Sequence, residues 1–478
     1  MLPKLPRFLL ALLVTAALPL RAADTARRGQ TETALDRYVA QPDPAFAWKK
    51  ISELSNADGT ASVLELVSQT WLTPAEVDRP EWRHTLTIIK PANLAHSTAL
   101  LYIGGGSTRP GPPPRPSGQL VEIAKSTRSV VAELRLVPNQ PLTFRGDGRP
   151  RTEDDLIAYT WDQFLRTGDE RWPARLPMTK AAVRAMDAVT AFLASPEGGA
   201  ARVDTFVVAG ASKRGWTTWT TAAVDRRVVA IAPLVIDVLN VAPSIDHHFR
   251  AYGFYSPAVG DYVRHRIMDW NGTPELAALY AIEDPFSYRD RLTLPKLLIN
   301  AAGDQFFLPD SSRFYFGELR GEKFLRYIPN TDHSLKNTDA YQTLGAWHHV
   351  ILNRTPLPQF SWQRAADGTL TVTAKTKPTA VLLWQATNPQ ARDFRLETLG
   401  PVWTATPVPA AGGTFTAKTV APAAGWTASF IELTFDIGAG SPLKLTTDVA
   451  VTPDTLPFPS PTAEKPRGFL QTAAPAAR

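Results

Sequence analysis

The chain has 478 residues, 44% of them hydrophobic, with 51 Lys and Arg against 45 Asp and Glu for a formal charge of +6. That length can bury a sizeable core, and two domains are the prior expectation. The absence of cysteine excludes disulfides, thiolate metal sites and a cysteine nucleophile, so packing must hold the fold.

Residues 1–22 place Lys4 and Arg7 before an almost wholly apolar run, Phe8 to Leu20, that ends in alanines. This pattern reads as a secretory signal peptide, and the run is short for a membrane span. The mature chain is therefore expected to be periplasmic or secreted, with no stable membrane anchor. Cleavage would take Lys4, Arg7 and Arg21 from a formal charge of +6, leaving +3. That balance gives no argument for a nucleic acid or an anionic membrane as partner.

From residue 23 the pattern alternates. Runs at 46–51, 62–71 and 82–89 have the period of half-buried antiparallel strands, and Thr98 to Ile103 reads as a buried strand. Gly104-Gly105-Gly106-Ser107 follows, without the spacing of either common phosphate-binding loop. Residues 109–118 are proline-rich and read as an exposed loop. A short helix is expected at 119–125, a strand at 129–137, and amphipathic helices at 153–166 and 178–195. Strands at 202–209, 228–236, 296–302 and 323–328 complete the pattern. Strands alternating with helices imply a mostly parallel sheet covered on both faces. The aromatic-rich stretch 240–292 interrupts the rhythm and reads as an inserted cap. Its Asp246-His247-His248 lacks metal-ligand spacing and is expected to be structural or pocket-lining.

The strand at 202–209 delivers Val207-Val208-Ala209-Gly210-Ala211-Ser212-Lys213-Arg214-Gly215-Trp216. This reads as a nucleophile elbow, the strand-to-helix turn that lifts a serine above an α/β-hydrolase sheet. It departs from G-x-S-x-G, because Arg214 stands where a glycine is usual and the second glycine is Gly215. Asp304 follows the strand at 296–302, and His333 follows the strand at 323–328. Their order, Ser212, Asp304, His333, is that of α/β hydrolases. In these roles Ser212 is the nucleophile, His333 the general base and then acid, and Asp304 the group that fixes the imidazole tautomer. Backbone N–H groups of Lys213, Gly105 and Gly106 would form the oxyanion hole. Asp310 and Asp332 are rival acids. Asp332 is expected to point away from its neighbour His333, and Asp310 to cap a helix starting near Ser311. His348 and His349 fall in a final helix and are read as packing or surface residues. The Lys213 side chain has two readings: solvated, or placed near the oxyanion or an acidic substrate group. Neither a cofactor nor a metal is required by this chemistry.

Gly210 to Trp216, the run Gly303-Asp304-Gln305-Phe306-Phe307-Leu308-Pro309-Asp310, and Asp332-His333-Ser334 together resemble the PhoPQ-activated pathogenicity-related proteins over roughly residues 30–450. The resemblance implies an exported α/β-hydrolase-like domain, without defining a substrate. The elbow is also similar to that of glucuronoyl esterases, which carry a basic residue directly after the serine. Dipeptidyl-peptidase-type enzymes are a further relative by fold, but their usual elbow and propeller are absent.

From 357 to 456 about seven short strands with Pro and Gly turns (near 361, 369–373, 380–384, 395–399, 414–416, 429–435 and 443–447) read as an immunoglobulin-like β-sandwich. Residues 457–478, rich in Pro and Ala, read as a disordered tail. The expectation is thus an α/β-hydrolase domain over 23–356 with a cap near 240–292, followed by a sandwich. The activity expected is serine hydrolysis of a small or polymer-linked ester. A peptidase or amidase of the same fold, and a non-catalytic binding protein that keeps it, are the alternatives.

Overall fold

In the computed structural model of the chain, residues 32–108 and 115–470 are described. The expected signal peptide, residues 109–114 of the expected loop and residues 471–478 of the expected tail lie outside them. Helix α1 (Ala34–Ala40), closed by a capping box between Thr33 and Asp36, leads into β1 (Ala47–Asn56), β2 (Gly59–Thr70) and β3 (Glu81–Pro91). Then come β4 (Thr98–Ile103), α2 (Gly118–Thr127), β5 (Val131–Leu134) and the two-residue ribbon β6 (Leu142–Thr143) with β7 (Pro150–Arg151). Helices α3 (Glu153–Thr167) and α4 (Arg175–Ala194) precede β8 (Thr205–Ala211), α5 (Lys213–Val224) and β9 (Val228–Leu234). Helices α6 (Val241–Tyr252), α7 (Gly260–Arg264) and α8 (Pro274–Glu283) form the cap, inserted before β10 (Lys296–Ala301), β11 (Lys323–Ile328) and α9 (Ala340–Asn353).

β1, β2, β3 and β5 pair antiparallel, whereas β5, β4, β8, β9, β10 and β11 run parallel in that spatial order. The parallel strands are apolar because helices cover both faces. Along β4, Leu101 and Ile103 join one core with Leu176, Met178, Trp216 and Trp219 of α4 and α5. Leu100 and Tyr102 join another with Ile123 of α2 and Leu344 and Trp347 of α9. The period of two thus sorts one short strand into two cores. Helix α5 is buried although rich in threonine, because hydroxyls bond within the helix, Thr217 to the Lys213 carbonyl and Thr221 to the Thr217 carbonyl.

The separate sandwich expected over 357–456 is corrected by the pairing of its strands. These are β12 (Phe360–Arg364), β13 (Thr369–Ala374), β14 (Ala380–Asn388), β15 (Thr404–Pro407), β16 (Ala410–Ala411), β17 (Thr414–Lys418), β18 (Trp426–Phe435), β19 (Leu443–Thr446) and β20 (Ala450–Thr452). Residues 395–399, expected as a strand, carry the single-turn helix α10 (Leu396–Leu399). β19 pairs antiparallel with β11, so β19, β18, β14 and β15 extend the central sheet to fourteen strands, with β20 beside β18. An uncovered edge of β11 would be open to association, and β19 closes it. Buried Arg326 of β11 pairs with Glu432 of β18 and with Asp339 at 3.1 Å across this junction. Among the described residues, β12, β13, β17 and β16 form a second layer. Its Leu370, Val372 and Phe415 share a core with Leu383, Ile431 and the hydrolase-side Trp347, so no break in packing falls at 357.

Residues 457–470 are also a correction, for they form a strap rather than a disordered tail. The Phe458 backbone N–H donates to the Arg250 carbonyl at 3.1 Å, and the Phe458 ring lies over Gly253, where a Cβ would come within 2.8 Å. Lys465 donates to the Asn271 carbonyl at 2.7 Å, and Phe469 packs edge-on against Phe164 of α3 at 5.5 Å. Composition reads as unfolded here, but two aromatic anchors decide the outcome. The strap binds the cap to α3.

Candidate active site

β8 runs into Ser212, whose backbone takes φ 59 and ψ −128. A non-glycine residue reaches that region only under strain, which persists when the surroundings over-determine it. They do so here. The Ser212 N–H donates to the Leu234 carbonyl at 2.8 Å and the Trp216 N–H to the Ser212 carbonyl at 3.0 Å. A Cβ on Gly210 would stand 2.7 Å from the Arg214 carbonyl oxygen, and one on Gly215 would stand 2.9 Å from those of Gly210 and Leu234. The glycine three residues after the serine is therefore where α5 crosses the sheet most closely.

Arg214 has a role that the motif did not disclose. Its Nε donates to the Val137 carbonyl at 2.5 Å, and its Nη1 and Nη2 grip both oxygens of Glu153 at 2.8 Å. The guanidinium lies against Gly105, where a Cβ would meet Nη2 at 2.6 Å. Gly105 is needed because a cation crosses it. Glu153, itself at φ 53, donates its backbone N–H to Gln140 Oε1 at 2.7 Å, while Gln140 Nε2 donates to the Gly106 carbonyl at 2.9 Å. Burial acts to raise the Glu153 carboxyl, but the Arg214 and Lys213 cations hold it down at about 2. One carboxylate thus ties the elbow and the glycine loop to the start of α3. Leu136 and Val137 bind the carbonyls of Gly105 and Gly104 at 3.0 and 3.2 Å, completing the cradle.

The solvated reading of the Lys213 side chain is corrected. It is buried, 6% exposed, with Nζ 2.9 Å from Glu153 and 3.1 Å from Asp154. Two carboxylates occupy its charge, so it is neither solvated nor free for a substrate. Its backbone remains the first residue of α5, where helix N–H groups lack partners within the helix.

His333 Nδ1 lies 2.8 Å from Asp304 Oδ2, and among the described residues its buried Nε2 has no hydrogen-bond partner. The other Asp304 oxygen accepts the Phe306 N–H at 2.7 Å. Gln305 Oε1 accepts the His333 N–H at 3.1 Å, and the Phe306 ring lies tilted against the imidazole at 4.3 Å. Ser212, His333, Gly105 and Gly106 line one cleft of about 380 Å³, whose walls also carry Glu133 and Arg135. Burial pushes the Glu133 carboxyl up, against the Arg135 charge. The four loops expected to supply the site thus meet.

The rival acids are engaged elsewhere. Asp332 accepts the Ser334 N–H at 2.9 Å on the surface. Asp310 precedes a short helical turn, Ser311–Phe314, but makes no side-chain cap to it. Instead it is buried against Arg392 Nη2 at 2.6 Å and His247 Nε2 at 3.1 Å. Burial opposes its charge, yet Arg392 and His247 hold it well below the usual carboxylate range. His248 accepts the Ser256 N–H at 3.0 Å, and burial lowers it to about 3, so this histidine pair is structural. His348 is buried against Ser129 at 2.8 Å, likewise a packing residue. Among the described residues no group of three or more His, Asp or Glu could hold a metal ion.

Arg392 belongs to a C-terminal segment that grips the loops carrying Asp304 and His333. Leu396 donates to the Gly303 carbonyl at 2.9 Å, directly before Asp304. Asn330 exchanges two 2.9 Å hydrogen bonds with the backbone of Trp403, just before His333. Behind them Asp237 is buried and accepts from Tyr315 at 2.5 Å and Tyr327 at 2.6 Å. Burial raises it to about 7 although both hydroxyls favour its charged form. Sequence gave no sign of these partners, which lie far along the chain from the motifs they support.

The family model for PhoPQ-activated pathogenicity-related protein matches residues 35–395. Autocrine proliferation repressor protein A of Dictyostelium discoideum is 38% identical over 458 residues, covering 90% of this chain and 92% of that protein. Among solved structures, acetyl xylan esterase 1 from Thermoanaerobacterium sp. aligns with a TM-score of 0.46 at 16% identity, over 67% of this chain and 92% of its own. An acetyl xylan esterase from Paenibacillus sp. R4 aligns at 0.44 and 13% identity, over 70% of this chain and 100% of its own. The family match, which spans Ser212, Asp304 and His333, makes this chain a member of the PhoPQ-activated pathogenicity-related protein family.

Proposed function

We propose that the chain is an exported serine hydrolase that cleaves esters through an acyl-enzyme. The observation that carries this is the His333–Asp304 pair at 2.8 Å, with Nε2 unpartnered in the cleft that holds Ser212. In this reading Ser212 Oγ attacks the ester carbonyl carbon as its proton passes to His333 Nε2. Asp304 accepts the Nδ1 hydrogen bond, sets the tautomer and stabilises the imidazolium. The carbonyl oxygen becomes an oxyanion facing the N–H groups of Lys213 and the Gly105–Gly106 loop. On collapse the C–O bond breaks, and the alkoxide leaves with the proton from Nε2. Water then gives a proton to His333 and attacks the acyl group, and His333 returns that proton to Ser212.

Export rests on residues 1–22, and among the described residues no helix is long and apolar enough to cross a membrane. The test is labelling with a fluorophosphonate, which phosphonylates an activated serine. Wild type should react, and Ser212→Ala and His333→Ala should not. Equal labelling of wild type and Ser212→Ala would remove Ser212 from the role. No labelling of folded wild type would favour a binding protein that keeps the fold.

A further inference from the structure

Two hollows open from Ser212, and they differ in character. The cleft described above mixes apolar walls with the glycine loop and the charged or titratable Glu133, Arg135, Arg214 and His333. On the other side the cap closes over an apolar pocket of about 60 Å³, walled by Ile236, Val238, Val241, Ile245, Tyr262 and Phe307. Its charged lining groups are already paired, Lys213 with Asp154 at 3.1 Å and Arg175 with Glu283 at 3.2 Å. Arg175 also lies under the Trp216 ring at 3.8 Å. The pocket therefore offers no free charge to a carboxylate or ammonium, and a charged group entering it would lose hydration without return.

Chemistry orients a substrate between these hollows. The departing alkoxide must take its proton from His333 Nε2, and His333 lines the cleft but not the pocket. The alcohol half therefore belongs in the cleft that His333 and the charged residues line, and the acyl half in the pocket. At ~10–15 Å³ of free volume per water, the pocket holds about five water-sized groups, enough for a short acyl chain and too little for a fatty one. We infer that the substrates are esters joining a short, uncharged, apolar acyl group to a bulky hydrophilic alcohol. This rests on the serine-hydrolase reading above and adds the identity of the two halves. The strap over the cap supports it, because Phe458 ties down the end of α6, which carries the Val241 and Ile245 wall of the pocket.

The test uses p-nitrophenyl esters of acyl length two to ten on the full chain, with fluorophosphonate labelling run alongside. kcat/KM should rise up to about four carbons, by roughly fourfold for each methylene that fits, then fall at least tenfold by eight. Ile245→Ala should move the optimum to longer chains, and Val238→Phe should narrow it toward acetate. With acetyl held constant, a polyol ester should outperform an alkyl ester of equal size. Intact labelling with a flat or rising length profile would overturn the inference alone. A profile that answers to Ile245→Ala only when the alcohol is varied would show the halves inverted. Loss of labelling in folded wild type would overturn the underlying reading instead.

Discussion

Arg392→Met tests whether the C-terminal segment holds the acid loop in place. Arg392 and Asp310 are both buried, their side chains 0% and 1% exposed, and their closest contact is 2.6 Å. Methionine keeps the apolar stem and removes the guanidinium, leaving the carboxylate with His247 at 3.1 Å and Arg313 at 3.5 Å. Breaking a buried pair on one side costs ~3–5 kcal/mol, since the remaining charge has lost its compensation. At about 1 °C per kcal/mol for a chain of this size, the thermal midpoint should fall by roughly 3–5 °C. The sign with pH follows from Asp310. In the native chain its pKa is depressed, so its contribution is present above the ordinary carboxylate value and is lost as pH falls through the native value. Without Arg392 burial dominates and raises it, so the variant's deficit should be largest near pH 8 and shrink toward pH 5. Because Asp310 closes the loop that Asp304 opens, kcat should also fall. Asp310→Leu with Arg392→Met removes both partners and should recover most of the stability. Thermal melts at pH 5 and 8, with kcat on the best short-chain ester, measure all of this. A loss below ~1 kcal/mol in the single variant, or a double variant no better than the single, would refute the anchoring argument.

Asp304→Asn should lower kcat by about 10⁴ while binding little changes, because the wrong imidazole tautomer is then favoured; steady-state kinetics on purified, folded variant measure it. Lys213→Met should act mainly on stability, at ~1–3 kcal/mol, since its ammonium serves Glu153 and Asp154. A hundredfold loss of kcat at unchanged melting temperature would contradict that placement. Asp237 is raised to about 7 by burial, so its contribution to stability is full below the unfolded value near 4 and is lost as pH rises through about 7. Asp237→Asn should therefore flatten the decline in melting temperature between pH 5 and 8.

The elements that sequence made legible are those whose cause is local. β4 and β11 match their expected bounds, Thr98–Ile103 and Lys323–Ile328, because short β-branched and apolar runs end at glycine or proline. The elbow was legible despite Arg214, since Gly210 and Gly215 mark the two close approaches that the turn requires. What stayed hidden depends on pairing at a distance. Arg214 and Glu153 lie 61 residues apart and Arg392 and Asp310 lie 82 apart, and nothing in either neighbourhood announces the partner. The C-terminal strands alternate as a sandwich would, and alternation does not say which edge a strand will join. That edge proved to be β11. The place of Lys213 is hidden for the same reason, since its partners Glu153 and Asp154 stand at the acidic start of α3.

Trapping the acyl-enzyme tests the central claim most directly. The full chain is mixed with p-nitrophenyl butyrate, quenched in acid within milliseconds and digested for mass spectrometry. A butyryl group should appear on the peptide carrying Ser212, matched by a burst of p-nitrophenol near one equivalent, and both should vanish in His333→Ala. Undiminished turnover by Ser212→Ala, or an acyl group on any other residue, would contradict the account.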